Sequence, residues 1–258
     1  MSRAVTTLEA PPRTRYVEHC MGTVFSVDVR DRGEWSAAID DLVDWLHRVD
    51  EVFSPFKPGS DVSRLARGEL RLADADPEVR TVLELCAEVS ATTEGTFTAL
   101  VDGRIDPTGL VKGWAVERAS ALLRRHGSAN HAVNGGGDVQ LAGEAAPGRP
   151  WTVGIVDPND RTRVLTTVEG RDFAVASSGP AERGAHIRDP FTGRPAAGLA
   201  GTTVVGPSLT RADAYATAAF VMGRDAVRWI AGVPEYAVLA VFPGGATVAS
   251  RGWPPAGR

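Results

Sequence analysis

Asp213 and Thr217 stand four residues apart in the run Arg211-Ala212-Asp213-Ala214-Tyr215-Ala216-Thr217-Ala218. The run reads as helix, and at that spacing both oxygens project from one face, about one turn apart. A carboxylate above a hydroxyl, among small alanines, offers oxygen ligands to a hard cation such as Mg²⁺. Asp and Thr are also common at helix N-termini, so end-capping is the structural alternative. Upstream lie His186-Ile187-Arg188-Asp189-Pro190-Phe191-Thr192-Gly193 and Asn134-Gly135-Gly136-Gly137-Asp138. Together these segments point to a metal-assisted site for a phosphorylated ligand.

Each further motif has a chemical reading and a plain one. Asn134 to Asp138 sits between two strand candidates, where glycines let the backbone approach a ligand closely; an ordinary hairpin turn explains it as well. It is not G-x-G-x-x-G and opens no helix, which disfavours a dinucleotide fold of the Rossmann type. Gly109-Leu110-Val111-Lys112-Gly113 starts a helix, and Lys112 beside free helix N–H groups suits an anionic phosphate. Glycine is costly inside a helix, so the two glycines imply a close neighbour. Ser177-Ser178-Gly179 follows a strand and fits phosphate hydrogen bonding or any turn. No nucleophile elbow is present. His186 with Asp189 nearby can shuttle a proton or serve structure alone. The other histidines have no metal-ligand spacing, so no zinc site is expected.

The elements that must position these groups follow from periodicity. Val24 to Val29 alternates as a strand, and Trp35, Ile39, Leu42, Leu46, Val49 and Phe53 keep helical spacing up to Ser54-Pro55. Asp61 to Leu65 reads as a short helix. Asp76-Pro77 opens a helix reaching about Thr92. A helix over about 111–125 follows. Strands are expected at 131–133, 139–141, 151–156, 163–168, 173–177 and 202–205. Helices near 212–222 and 225–231 and strands at 237–242 and 247–249 finish the chain. Mixed blocks without strict βαβ alternation predict an α+β fold, with a largely antiparallel sheet flanked by helices. Residues 1–15 read as a loose arm and 16–258 as a single domain.

Bulk properties exclude other classes. The 258 residues are 43% hydrophobic and 23% charged, an ordinary globular balance with net charge −4. No dense basic run marks a nucleic-acid partner. Nothing approaches the ~18 apolar residues of a membrane span, and the first residues show no apolar leader. No membrane anchor and a cytoplasmic location are therefore expected. Cys20 and Cys86 form no metal motif and read as a reduced pair.

The ordered set of motifs resembles the ApbE family, the FAD:protein FMN transferases. The resemblance runs from about Glu18 to Gly223. It includes Met21-Gly22-Thr23, Phe53-Ser54-Pro55-Phe56-Lys57-Pro58 with Ser60, and Thr93-Glu94-Gly95-Thr96-Phe97. Gly109–Gly113 looks like the family's G-I-A-K-G, Asn134–Asp138 like its N-A-G-G-D, and Ser177-Ser178-Gly179 like its T-S-G. His186–Gly193 looks like its H-x-x-D-P-x-T-G, and Asp213–Thr217 like its D-A-x-x-T. The chain departs from the family where the segment between Phe97 and Asp106 is short and where Asp106-Pro107-Thr108-Gly109 replaces D-L-G-G. These departures look like a compact, cytoplasmic branch.

The resemblance implies an ApbE-like, T-fold-like architecture that binds FAD and Mg²⁺. Such a protein cleaves the FAD pyrophosphate, moves FMN through a phosphoester onto a Thr or Ser hydroxyl of an acceptor flavoprotein, and releases AMP. It implies Asp213 and Thr217 as metal ligands, with a backbone carbonyl near Val111 as another. Met21, Phe53, Ser54, Phe97, Lys112, Asn134, Gly135, Gly136, Asp138, Ser178 and Gly179 would lie along the FAD. His186, with Asp213, would serve the reacting groups. Two alternatives share the site: an FAD pyrophosphatase giving FMN and AMP, and a flavin-binding protein without turnover.

Overall fold

A computed structural model describes residues 13–101, 103–180 and 187–254. Eight strands form one sheet in which every neighbouring pair is antiparallel: β1 (Thr14–Cys20), β2 (Thr23–Val29), β5 (His131–Gly135), β6 (Asp138–Ala142), β9 (Ala174–Ser178), β10 (Gly201–Gly206), β11 (Ala237–Val241) and β12 (Thr247–Ala249), in that spatial order. Two short ribbons stand apart from it, β3 (Leu100–Val101) with β4 (Arg104–Ile105) and β7 (Trp151–Asp157) with β8 (Asp160–Gly170). The helices are α1 (Ser36–Phe53), α2 (Asp61–Ala66), α3 (Pro77–Thr92), α4 (Thr108–Arg125), α5 (Leu209–Met222) and α6 (Ala226–Ile230).

Alternation along the strands separates two cores. Successive strand residues point to opposite faces, so Val204 and Val238 join the helix-side core while Val205, Ala237 and Leu239 join the other. On the helix side Leu42, Leu46 and Val49 of α1 meet Leu110, Trp114 and Leu123 of α4 and the alanines of α5. On the far side Trp151, Ile155 and Val168 of the β7–β8 ribbon cover Val139, Leu141 and Val175. The α5 helix is buried almost all round, through Leu209, Ala212, Ala214, Tyr215, Ala216, Ala218 and Phe220. Such a helix has no solvent face to sort polar from apolar, and its small residues let it lie close to both α4 and the sheet.

Local chemistry explains most boundaries. The Asp76 side chain accepts from Glu78 N at 2.9 Å and Pro77 takes the first position of α3, as the sequence predicts. The Ser208 side chain caps α5. Several boundaries shift by a few residues, among them α5, which starts at Leu209 and not near 212, and β8, which starts at Asp160 and not at 163. β1 begins at Thr14, so Thr14 and Arg15, read as part of a loose arm, pair with Val29 and Asp28. Helix α4 starts at Thr108 and not near residue 111, because Asp106 Oδ1 accepts from Thr108 N at 3.0 Å and from Thr108 Oγ1 at 2.6 Å. The earlier start carries Gly109 and Leu110 into the helix that was already expected to hold Lys112. Cys20 and Cys86 are buried free thiols, which burial pushes up to about 11 and about 12. Among the described residues no helix is long and apolar enough to cross a membrane.

One buried group makes stability depend on pH. His131 is fully buried, with Ser120 Oγ 2.8 Å from Nε2 and Ser128 Oγ 2.8 Å from Nδ1. Burial, helped by Arg124, holds it down from 6.5 to about 4. The fold therefore favours the neutral ring, a contribution present above pH 6.5 and lost as pH falls toward 4. The expected loss is about 3 kcal/mol at pH 4. Urea unfolding between pH 7 and 4 measures it, and His131→Gln should give a flatter profile than the parent.

Candidate functional site

A cleft of about 690 Å³ opens where the start of β2, the turn after β5, the end of β9, the first turns of α4 and the middle of α5 converge. Residues of the segment 96–98 and Ile187, Arg188 and Pro190 complete its rim. The cleft thus draws on parts of the chain nearly two hundred residues apart.

Its polar floor is built from α4 and α5. Asp213, 3% exposed, accepts from Gly113 N at 2.9 Å through Oδ2. Its Oδ1 lies 3.6 Å from Lys112 Nζ. Lys112 is also ion-paired with Asp138, which is 1% exposed and whose Oδ1 accepts from Ser177 N at 2.9 Å. One turn beyond Asp213, Thr217 Oγ1 lies 3.3 Å from Ser178 Oγ. Lys112 therefore ties two buried carboxylates of different elements, and β9 contributes both a backbone donor and a hydroxyl.

The helices can approach this closely only because of Gly113. A Cβ there would lie 2.6 Å from the Leu209 carbonyl oxygen and 2.8 Å from Asp213 Cβ. Gly109 admits the ring of Phe97, whose Cε2 would be 3.1 Å from such a Cβ. The glycines that suggested a close neighbour in the sequence do have one, and it is the protein's own packing. In the β5–β6 turn Gly136 has φ +62, and a Cβ there would meet Thr23 Oγ1 at 2.7 Å. Asn134 Oδ1 accepts from Gly137 N at 3.2 Å, which stabilises the turn.

Of the residues expected along the site, Phe97, Lys112, Gly136, Ser178, Gly179, Asp213 and Thr217 line the cleft. Asp138 stands behind Lys112. Others lie elsewhere. Phe53 is buried in the core, its ring 5.4 Å from that of Trp114. Ser54 ends α1, and its carbonyl accepts from Ser60 Oγ at 2.7 Å and Ser63 Oγ at 3.2 Å. Met21 holds the β1–β2 turn with φ +50 and packs against the core, while its neighbours Gly22 and Thr23 line the cleft. Asn134 and Gly135 are the end of β5, and Gly135 packs against Phe25 and Val116. Val111 is buried one residue before Lys112. His186 lies outside the described residues.

Asp189 is occupied by its own turn. Its Oδ1 accepts from Phe191 N and its Oδ2 from Thr192 Oγ1, both at 2.9 Å. Arg188 Nη1 donates to the Gly193 carbonyl at 3.0 Å. The D-P-x-T-G run therefore builds a rim and presents Arg188 and Pro190 to the cleft. Arg161, Asp106 and Thr23 also line it. Arg161 belongs to no chemically distinctive pattern in the sequence, and of the Met21-Gly22-Thr23 motif the resemblance implied Met21 and not Thr23 as the site residue.

The donor chemistry fits a hard divalent cation. Asp213, Thr217 and Ser178 offer oxygen, with no thiolate or imidazole among them. Among the described residues no group of three or more His, Cys, Asp or Glu forms a cage. Few protein carboxylates suit Mg²⁺, which keeps waters and shares substrate phosphates.

The whole arrangement is that of a known fold. A flavin transferase ApbE from Vibrio cholerae superposes with TM-score 0.81 at 21% identity, over 93% of this chain and 98% of that one. The ApbE protein of Thermotoga maritima gives 0.83 at 24% identity, over 93% and 97%. In sequence, the FAD:protein FMN transferase of V. cholerae is 33% identical over 147 residues, 53% of this chain and 44% of that protein. Its counterpart in Salmonella typhimurium is 29% identical over 156 residues, 57% and 45%. The matched part thus spans less than half the length of these curated relatives. The ApbE family model matches residues 21–103 and 100–240. The chain belongs to the ApbE family.

Proposed function

We propose that this chain is a Mg²⁺-dependent FAD:protein FMN transferase whose acceptor is a Thr or Ser hydroxyl of a flavoprotein. The observation that carries this reading is the meeting of Asp213 and Thr217 with Lys112 and Ser178 on one cleft wall. The relatives named as FAD:protein FMN transferases support it.

In the proposed reaction the acceptor oxygen forms a bond to the phosphorus of the FMN half. The bond from that phosphorus to the bridging oxygen breaks, and AMP leaves with that oxygen. The acceptor proton passes to a base, the role proposed for His186. Transfer of this kind depends on positioning and on offsetting charge more than on covalent help. Asp213 and Thr217, with the Val111 carbonyl, would hold Mg²⁺, which when bound offsets phosphate charge. Lys112 fixes the Asp213 carboxylate from one side and the Gly113 N–H from the other. Phe97 and the Gly136 turn form part of the cleft wall.

The test incubates an acceptor flavoprotein with the chain, FAD and Mg²⁺, and follows intact mass together with AMP. Added FMN mass on the acceptor with AMP release supports transfer. AMP without labelling favours water as acceptor. FAD binding with neither product favours a binder without turnover. Chelation of divalent cations is expected to stop both products, and added Mg²⁺ to restore them.

A further inference from the structure

We propose that Arg161 binds the diphosphate of the dinucleotide, at a neck joining the cleft to a second cavity. This rests on the FAD reading above. The second cavity, of about 250 Å³, lies on the ribbon side of the sheet and shares Gly136, Arg161, Ser177, Ser178 and Gly179 with the cleft. Among the described residues Arg161 is the cation that lines both.

A dinucleotide consists of two ring-bearing halves joined by a charged diphosphate, and two cavities with a shared neck match that division. The neck offers what a diphosphate needs: glycine backbone that allows close approach, the Ser178 hydroxyl, and a guanidinium. Arginine suits phosphate because its planar donors can engage two oxygens together. Ser178 Oγ is 3.3 Å from Thr217 Oγ1, so the neck adjoins the oxygen-bearing face of α5.

The tip that carries Arg161 is held in place. Asp157 Oδ1 accepts from Asn159 N at 2.9 Å, and Asp160 Oδ1 from Thr162 N at 3.0 Å. Asn159 Nδ2 donates to the Phe242 carbonyl at 3.4 Å. Pro158 packs over Gly201, where a Cβ would lie 3.1 Å from Pro158 Cβ. Arg161 itself is exposed at the start of β8, so its replacement leaves the cores untouched.

Calorimetric binding of FAD, ADP and riboflavin to the full chain tests the inference, using the parent, Arg161→Ala, Arg161→Lys and Arg163→Ala. Arg163 lies on the same strand and lines neither cavity. Arg161→Ala is expected to weaken FAD and ADP by roughly 10- to 100-fold, the usual worth of a charged hydrogen bond. Riboflavin, which has no phosphate, should bind as before; Arg161→Lys should recover part of the loss, and Arg163→Ala should match the parent. Unchanged FAD and ADP affinity in Arg161→Ala, with the parent binding both, overturns the inference alone. Equal weakening of riboflavin also overturns it, since the side chain would then shape a ring pocket. A parent that binds no FAD overturns the FAD reading and this inference with it.

Discussion

Asp213→Asn is expected to leave the protein folded and to lower FMN transfer by roughly 10²- to 10³-fold, the effect of losing several kcal/mol of charge stabilisation. The substitution separates two jobs of one side chain. Asp213 Oδ2 accepts the Gly113 N–H at 2.9 Å, and an Asn side-chain oxygen can accept it equally. The negative charge, by contrast, disappears. Asp213→Ala would confuse the two, because it also leaves a buried N–H without a partner, at a cost of about 1–3 kcal/mol. Acceptor labelling and AMP release measured beside thermal unfolding decide the matter. A normal melting profile with lost transfer supports a metal-binding carboxylate. Retained transfer in Asp213→Asn would remove Asp213 from the proposed metal site. Reduced stability with proportionate loss of activity would make it a packing residue.

Gly113→Ala is expected to destabilise the fold by about 3 kcal/mol, at the upper end for overpacking. Its added methyl would sit 2.6 Å from the Leu209 carbonyl oxygen and 2.8 Å from Asp213 Cβ. The Leu209 oxygen is backbone in the first turn of α5, so no rotamer change relieves the contact. Helices α4 and α5 must separate, and that separation carries Lys112 away from Asp213. Denaturant titration should show the lower midpoint. In whatever fraction remains folded, Mg²⁺ should support transfer less well than in the parent. A variant with unchanged stability would show that the two helices are not held at this distance. Gly109→Ala provides a milder comparison, since its closest neighbour is the side chain of Phe97 at 3.1 Å.

Much of this molecule was legible in one dimension. Apolar spacing marked α1 and α3, and Asp76-Pro77 marked where α3 begins, because capping and periodicity are local properties. The strands from β5 onward were legible for the same reason. The ordered motifs also identified the family, and they placed Asp213 and Thr217 on one helical face, since four residues of α-helix determine that geometry. The N-terminal strand β1 was less visible: its exposed face carries Arg15, Val17 and His19, and only pairing with β2 defines it.

Tertiary structure decided what each motif touches. Phe53 and Ser54 belong to a conspicuous segment, yet one packs on Trp114 and the other ties α1 to α2, because α1 turns its last residues inward. Gly113 signalled a close neighbour, and that neighbour is the adjoining helix α5. Lys112 looked like a free cation for phosphate and is shared by carboxylates from β6 and α5, which lie 26 and 101 positions further along the chain. Arg161 belongs to no motif, and its place at the neck depends on how the β7–β8 ribbon folds over the sheet. The sequence by itself determined the local elements, the family and the chemical types available. Which of those groups share a cleft was decided by the packing of α4 and α5 on an antiparallel sheet, because side-chain proximity across a hundred residues is a property of the fold and not of spacing.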